Sequence, residues 1–198
     1  MKGSIIIVGF FAVGICVGLG VPQLDVPPSL SYYALCALMF CVGVGIGCDS
    51  KVLRSFRSVN PRLMFLPLMT IVGTLAGTAA ASALLSHRSL TDCLAIGSGF
   101  GYYSLSSIFI TEYRGAELGT VALLANIMRE IITLLCAPLL ARLFGKLAPI
   151  SMGGATSMDT TLPIITRSSG QDYAVVSIFH GFCVDFSVPF LVTFFCSL

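Results

Sequence analysis

The chain has 198 residues, 56% of them hydrophobic and 10% charged, where an ordinary soluble domain carries about 25% charged residues. With a mean hydropathy of +0.96, this composition excludes a typical soluble globular protein. Eleven basic and nine acidic residues, a formal charge of +2, are scattered without a basic block, which speaks against nucleic acid as a partner.

Three uninterrupted apolar runs come first, at 4–21, 30–47 and 63–85, each close to the ~20 residues that a helix needs to cross a bilayer. Lys2 precedes the first run, but no A-x-A site follows it, so the run is read as a span and not as a cleaved signal. The turn at 21–29 has no Lys or Arg, whereas 49–62 holds Lys51, Arg54, Arg57 and Arg62. The basic turn belongs on the cytoplasmic side, which places the N-terminus inside.

After the third run the pattern changes. Residues 93–111 are uncharged but contain Gly97, Ser98, Gly99, Gly101, Ser104, Ser106 and Ser107, a poor composition for an unbroken helix facing lipid. Next comes one long helical pattern over 116–144, with Asn126, Arg129, Glu130 and Thr133 near its centre. A second small and polar stretch at 151–163 precedes a short basic turn and a last apolar run at 173–197. If both small-polar stretches cross fully, Arg142 and Lys146 fall outside. If both re-enter, Arg142, Lys146 and Arg167 are cytoplasmic and the C-terminus lies outside, as the positive-inside rule prefers.

The predicted architecture is therefore one all-α, polytopic membrane domain over 1–198, with five full spans and two re-entrant or broken segments. Two glycine-interrupted segments in the two halves of a chain point to an inverted-repeat transporter with its site at the repeat interface. Irregular backbone at membrane depth must be buried in protein or line a cavity. The lipid bilayer is the first predicted partner. Trp is absent, so an interfacial aromatic belt rests on Tyr32, Tyr33, Tyr113 and Tyr173. The eight cysteines stand singly, without a CxxC or a nearby His, and read as small core residues. No metal or other cofactor is predicted.

A charge at membrane depth costs about 2.5 to 3.5 kcal/mol on insertion scales, so each instance asks for a partner or a task. Arg129, Glu130, Asp159 and Asp185 are the candidates. Asn126, Glu130 and Thr133 fall three and four apart on the long helix and form a polar stripe flanked by Arg129. Arg129 and Glu130 point about 100° apart and do not pair naturally, so a cross-element pair is the structural alternative to function. Ser104, Ser107, Gly153, Gly154, Thr156 and Thr160 belong to stretches whose N–H groups and hydroxyls suit a substrate carboxylate. Close packing through small residues is the competing reading. His180 reads as a satisfied core residue, and the role of Asp185 stays open. Ser106 or Ser107 with His180, and Asp159 with Asp185, suggest hydrolase pairs, but no GxSG or GxGD string accompanies them. An enzyme is not predicted.

The strings GSGFGYYSLSS (97–107), TEYRGAELGTVALLANIMRE (111–130) and GGATSMDTTLPII (153–165) resemble the lysine exporter family LysO over nearly the whole chain. The resemblance implies export of L-lysine, and of related basic amino acids or lysine analogues, across the bacterial inner membrane. It places the family's intramembrane acids on Glu130 and Asp159. Family members carry further hydrophobic helices before the region that matches 4 onward. The resemblance thus implies a short membrane subunit as partner, and an oligomer is compatible with it.

The leading expectation is a proton antiporter of L-lysine, in which Glu130 and Asp159 hold either the substrate ammonium or a proton. Arg129 then biases their ionisation or docks the substrate carboxylate. The alternatives are a carrier of organic anions or a sodium–proton exchanger of similar architecture, and a structural subunit without a transport cycle.

Overall fold

A computed structural model describes residues 61–85 and 88–198, together with nine isolated positions between 13 and 44. The chain divides into two compact units, Met1–Asp49 and Ser50–Leu198. In the first, the nine described positions are helical and exposed. The predicted spans at 4–21 and 30–47 and nearly all of the basic turn at 49–62 otherwise lie outside the described residues.

The second unit is helical, with no strand among the described residues. After a 3-10 turn at Leu63–Phe65 come α1 (Leu66–Ser82), α2 (Leu90–Gly97), α3 (Tyr103–Arg114) and α4 (Ala116–Phe144). Then follow α5 (Ala148–Gly153), a 3-10 turn at Gly154–Met158, α6 (Leu162–Ser169), a further 3-10 turn at Gln171–Tyr173, and α7 (Ala174–Ser197). Among the described residues three helices are long and apolar enough to cross a membrane: Leu63–Ser82, Ala116–Phe144 and Gln171–Ser197. The small-polar stretches predicted to break do break. One gives α2 and α3 separated by a turn, and the other gives α5 and α6 separated by the 3-10 turn.

Local chemistry sets these boundaries. Ser89 caps α2 by accepting from the Asp92 amide at 3.0 Å, and Asp92 adds an acid to the first turn, where the helix dipole favours it. Pro67, Pro149 and Pro163 stand at the starts of α1, α5 and α6, positions where a missing N–H costs nothing.

Contacts at the two ends of this unit fix how the broken stretches run. Arg88, just before α2, pairs with Glu117 at the start of α4. Arg114, at the end of α3, lies 3.5 Å from Asp92 and donates from Nε to the Cys196 carbonyl at 3.0 Å. The pair α2–α3 thus starts and finishes at the end of the unit where α4 begins and α7 finishes. At its turn, the Gly101 amide donates to Asn126 Oδ1 at 2.8 Å. Asn126 stands nine residues into α4 from Glu117, about 14 Å at the helical rise, or roughly half of a ~30 Å hydrocarbon core.

The pair α5–α6 does the same from the opposite end. Lys146 Nζ donates to the Ser168 carbonyl at 3.1 Å, which ties its entrance to its exit. There Ile150, Ile165 and Val176 form an apolar cluster joined by Leu63, Leu66, Leu147 and Tyr173, so α1 and α7 also begin at this end. The buried positions of α7 (Ser177, Gly181, Val184, Val188, Val192, Cys196) recur every three or four residues, which makes it the helix on which both hairpins pack.

The outward faces are apolar. Leu124, Met128, Ile131, Leu135 and Leu139 of α4 and Phe186, Phe190 and Phe194 of α7 are exposed large hydrophobics, a pattern suited to lipid and not to water.

Candidate functional site

The two hairpin turns touch. The Ala155 amide donates to the Phe100 carbonyl at 2.9 Å, a backbone bond between the α2–α3 turn and the α5–α6 turn. Gly154 makes this approach possible. Its φ is +61°, and a Cβ there would collide with the Phe100 carbonyl oxygen. Phe100 itself has φ +46° and is fully buried, an uncommon conformation for a bulky residue that persists only where its surroundings enforce it.

Two residues of α4 hold the turns from behind. Asn126, 4% exposed, accepts from Gly101 and donates to the Ala122 carbonyl at 2.9 Å and the Ile96 carbonyl at 3.3 Å. Arg129 donates from Nε to the Met152 carbonyl at 2.9 Å, from Nη2 to the Ser151 carbonyl at 3.0 Å and from Nη1 to Thr74 Oγ1 at 3.3 Å. Its guanidinium carbon also lies 5.9 Å from the Phe100 ring centroid, within cation–π range. Among the described residues it forms no ion pair with Glu130 or Asp159. Its compensation comes instead from carbonyls near the C-terminus of α5, where a cation is favoured.

In front of the turns is a cavity of about 140 Å³ lined by Gly101, Tyr102, Tyr103, Ser104, Ala155, Thr156, Asp159, Thr160 and Asp185. Among the described residues its lining contains two acids and no basic residue. Asp159 is exposed and accepts from the Thr160 amide. Asp185 reaches the cavity from α7, is 8% exposed, and makes no hydrogen bond or ion pair with the described residues. Pro189, four residues on and inside α7, supplies no N–H to the Asp185 carbonyl.

Of the residues singled out in the sequence, Ser104, Thr156, Asp159 and Thr160 come together at this cavity. Gly153 and Gly154 form the second turn behind it, where Thr156 Oγ1 donates to the Gly153 carbonyl at 2.9 Å. Asn126 and Arg129 support the turns. Ser107 spends its hydroxyl on the Ser104 carbonyl at 3.0 Å and does not line the cavity. Glu130 is half-buried on α4, outside that lining, with no hydrogen bond or ion pair among the described residues. The residue that sequence reasoning left open is Asp185. Its signal is a lone acid in an apolar helix four residues before a proline.

His180 is the satisfied core residue expected of it. It is fully buried between Ser157 Oγ at 3.0 Å from Nδ1 and Thr70 Oγ1 at 2.8 Å from Nε2. Ser106 bonds its own helix at Tyr102, so the pairing of Ser106 with His180 does not form. Among the described residues no group of three or more His, Cys, Asp or Glu gathers to hold a metal.

Apolar helices of spanning length around two hairpin turns and a polar, acid-bearing cavity define a polytopic all-α membrane protein. The chain matches the family described as Lysine exporter LysO over residues 8–196, and it belongs to that family, which is a family of transporters and not of enzymes. It is 34% identical over 193 residues to the protein named Lysine exporter LysO of Escherichia coli (strain K12), a match that covers 97% of this chain and 64% of that protein. It is 33% identical over 174 residues to a Haemophilus influenzae protein named "Putative lysine exporter", covering 88% of each. No solved structure matches the chain.

Proposed function

We propose that the protein exports L-lysine across the bacterial inner membrane by proton antiport, with Asp159 receiving the substrate's side-chain ammonium. The observation that carries this reading is the cavity at the meeting of the two turns, lined among the described residues by acids and hydroxyls and by no basic residue. A cation is attracted there and an organic anion is repelled. The arrangement also weighs against the organic-anion alternative at Arg129, whose three guanidinium nitrogens already donate to protein acceptors.

The topology of the proposal is five spans with two re-entrant hairpins entering from opposite sides, as in inverted-repeat transporters. The paired ends of each hairpin and the depth of Asn126 support it. The side carrying Arg142, Lys146 and Arg167 is cytoplasmic in this reading, and the C-terminus is outside. Lysine enters the cavity in exchange for a proton on Asp159, and Glu130 is a second proton site on α4. The chain spans 64% of the length of its E. coli relative. A short membrane partner and self-association enter the proposal only as what the family resemblance implies.

Uptake of labelled lysine into inverted membrane vesicles tests the reading. An acidic vesicle interior drives accumulation, and a protonophore abolishes it. Accumulation that ignores the proton gradient removes the antiport, and absence of lysine uptake removes the substrate.

A further inference from the structure

We infer that Asp185 is the second carboxylate of a primary-ammonium site, facing Asp159 across the cavity between the hairpin turns. This deepens the proposed lysine reading and rests on it for the identity of the natural substrate, but not for the chemistry of the site. Four features define that chemistry. Asp185 is more than nine-tenths buried and lines the cavity. It has no hydrogen-bond or ion-pair partner among the described residues, and its carboxylate oxygens are left open to the cavity. The cavity also holds the Asp159 carboxylate and the residues Ser104, Thr156 and Thr160, so oxygen acceptors come from both hairpins and from α7. Among the described residues no Lys, Arg or His lines it to neutralise the two acids.

An alkylammonium group matches this lining better than a bare metal ion. It has three N–H donors to share between two carboxylates and a hydroxyl. Tyr102 and Tyr103 in the lining offer aromatic surface to the adjoining methylenes and to the positive charge. At about 140 Å³ the cavity has room for an ammonium head and its methylenes, against ~30 Å³ for each water displaced. Asp185 differs in kind from Asp159. Asp159 belongs to a turn and is exposed, whereas Asp185 is fixed on the helix on which both hairpins pack. The first is placed to meet the ammonium, and the second to hold it at depth.

The test is binding of n-butylammonium to the full-length protein in lipid nanodiscs, by calorimetry and by displacement of labelled lysine. Wild type binds n-butylammonium and not n-butanol. Asp185→Asn weakens that binding about ten- to a hundredfold, the cost of one lost charge-assisted bond, and Asp185→Glu restores most of it. Unchanged binding in Asp185→Asn, no binding by wild type, or displacement of n-butylammonium by equimolar sodium overturns the inference. Labelling of Asp185 by a hydrophobic carbodiimide in the wild-type protein needs no variant. n-Butylammonium must protect the residue, and labelling that it does not slow is contrary. If n-butylammonium binds in an Asp185-dependent way while lysine is neither bound nor moved, the ammonium site stands and the lysine reading fails. If lysine is exported at a normal rate by Asp185→Asn, the lysine reading stands and the role of Asp185 fails.

Discussion

Ala155 donates its amide to the carbonyl of Phe100 at 2.9 Å, joining the turns of two helical hairpins that start from opposite ends of the same unit. The parts of the cavity that the two turns supply are positioned by this bond and by the two α4 side chains behind it. Gly154 next to it has no room for a Cβ. Gly154→Ala therefore separates the turns. We expect a loss of about 3 kcal/mol or more, combining the backbone cost of alanine in a conformation that favours glycine with the collision. Gly115→Ala, at φ +91° and ψ 165° with nothing within 4 Å, carries only that backbone cost of about 1–3 kcal/mol. Melting of the two purified variants checks the difference, and equal losses would show that the turns do not press on each other.

The α4 residues that hold the turns should fail in stability before they fail in chemistry. Asn126→Ala leaves the buried Gly101 amide without its acceptor, at about 1–3 kcal/mol. Arg129→Lys cannot reproduce a planar fork reaching two carbonyls and a threonine. Both variants are expected to lower the melting temperature and the amount of protein in the membrane. Glu130→Gln and Asp159→Asn leave no cation unpaired among the described residues, so their abundance should stay near wild type while transport falls steeply. Western quantification of membrane protein beside lysine efflux separates the two groups. An Arg129→Lys protein with full abundance and lost efflux would move Arg129 from support to substrate.

Re-entrance predicts the sidedness of the two glycine-flanked ends of α4. In a cysteine-free background, a single cysteine replacing Ala116 should react with an impermeant thiol reagent from outside, and one replacing Gly145 only from inside. The opposite pattern would mean that the hairpins cross the membrane fully.

The two helix breaks were legible in the sequence. The glycine and serine content of 93–111 and 151–163 marked both breaks, because backbone without a regular helix needs small residues at membrane depth. The placement of Arg142 and Lys146 already favoured re-entrance. The stripe on α4 was legible too, but not its task. Asn126 and Arg129 bond backbone groups of distant turns, and a carbonyl has no signature in composition. The role of Asp185, a candidate in the sequence, stayed open for a related reason. Its neighbours Tyr102 and Asp159 lie on two hairpins far from it in sequence, so only the packing of α7 against both turns reveals that it shares their cavity. Glu130 and Asp159, paired by cost in the sequence, do not line one cavity in the structure. Distance along the chain and a shared chemical type carry no information on which wall of a bundle each acid faces.

In the proposed cycle a lysine ammonium and a proton exchange at Asp159. The most direct measurement imposes a lysine gradient alone on proteoliposomes holding the purified protein and follows lumenal pH with a trapped dye. Wild-type protein should drive protons opposite to lysine, in proportion to the lysine moved, and Asp159→Asn should do neither at a comparable rate. Lysine movement without proton counterflow, or an unimpaired Asp159→Asn, would contradict the account.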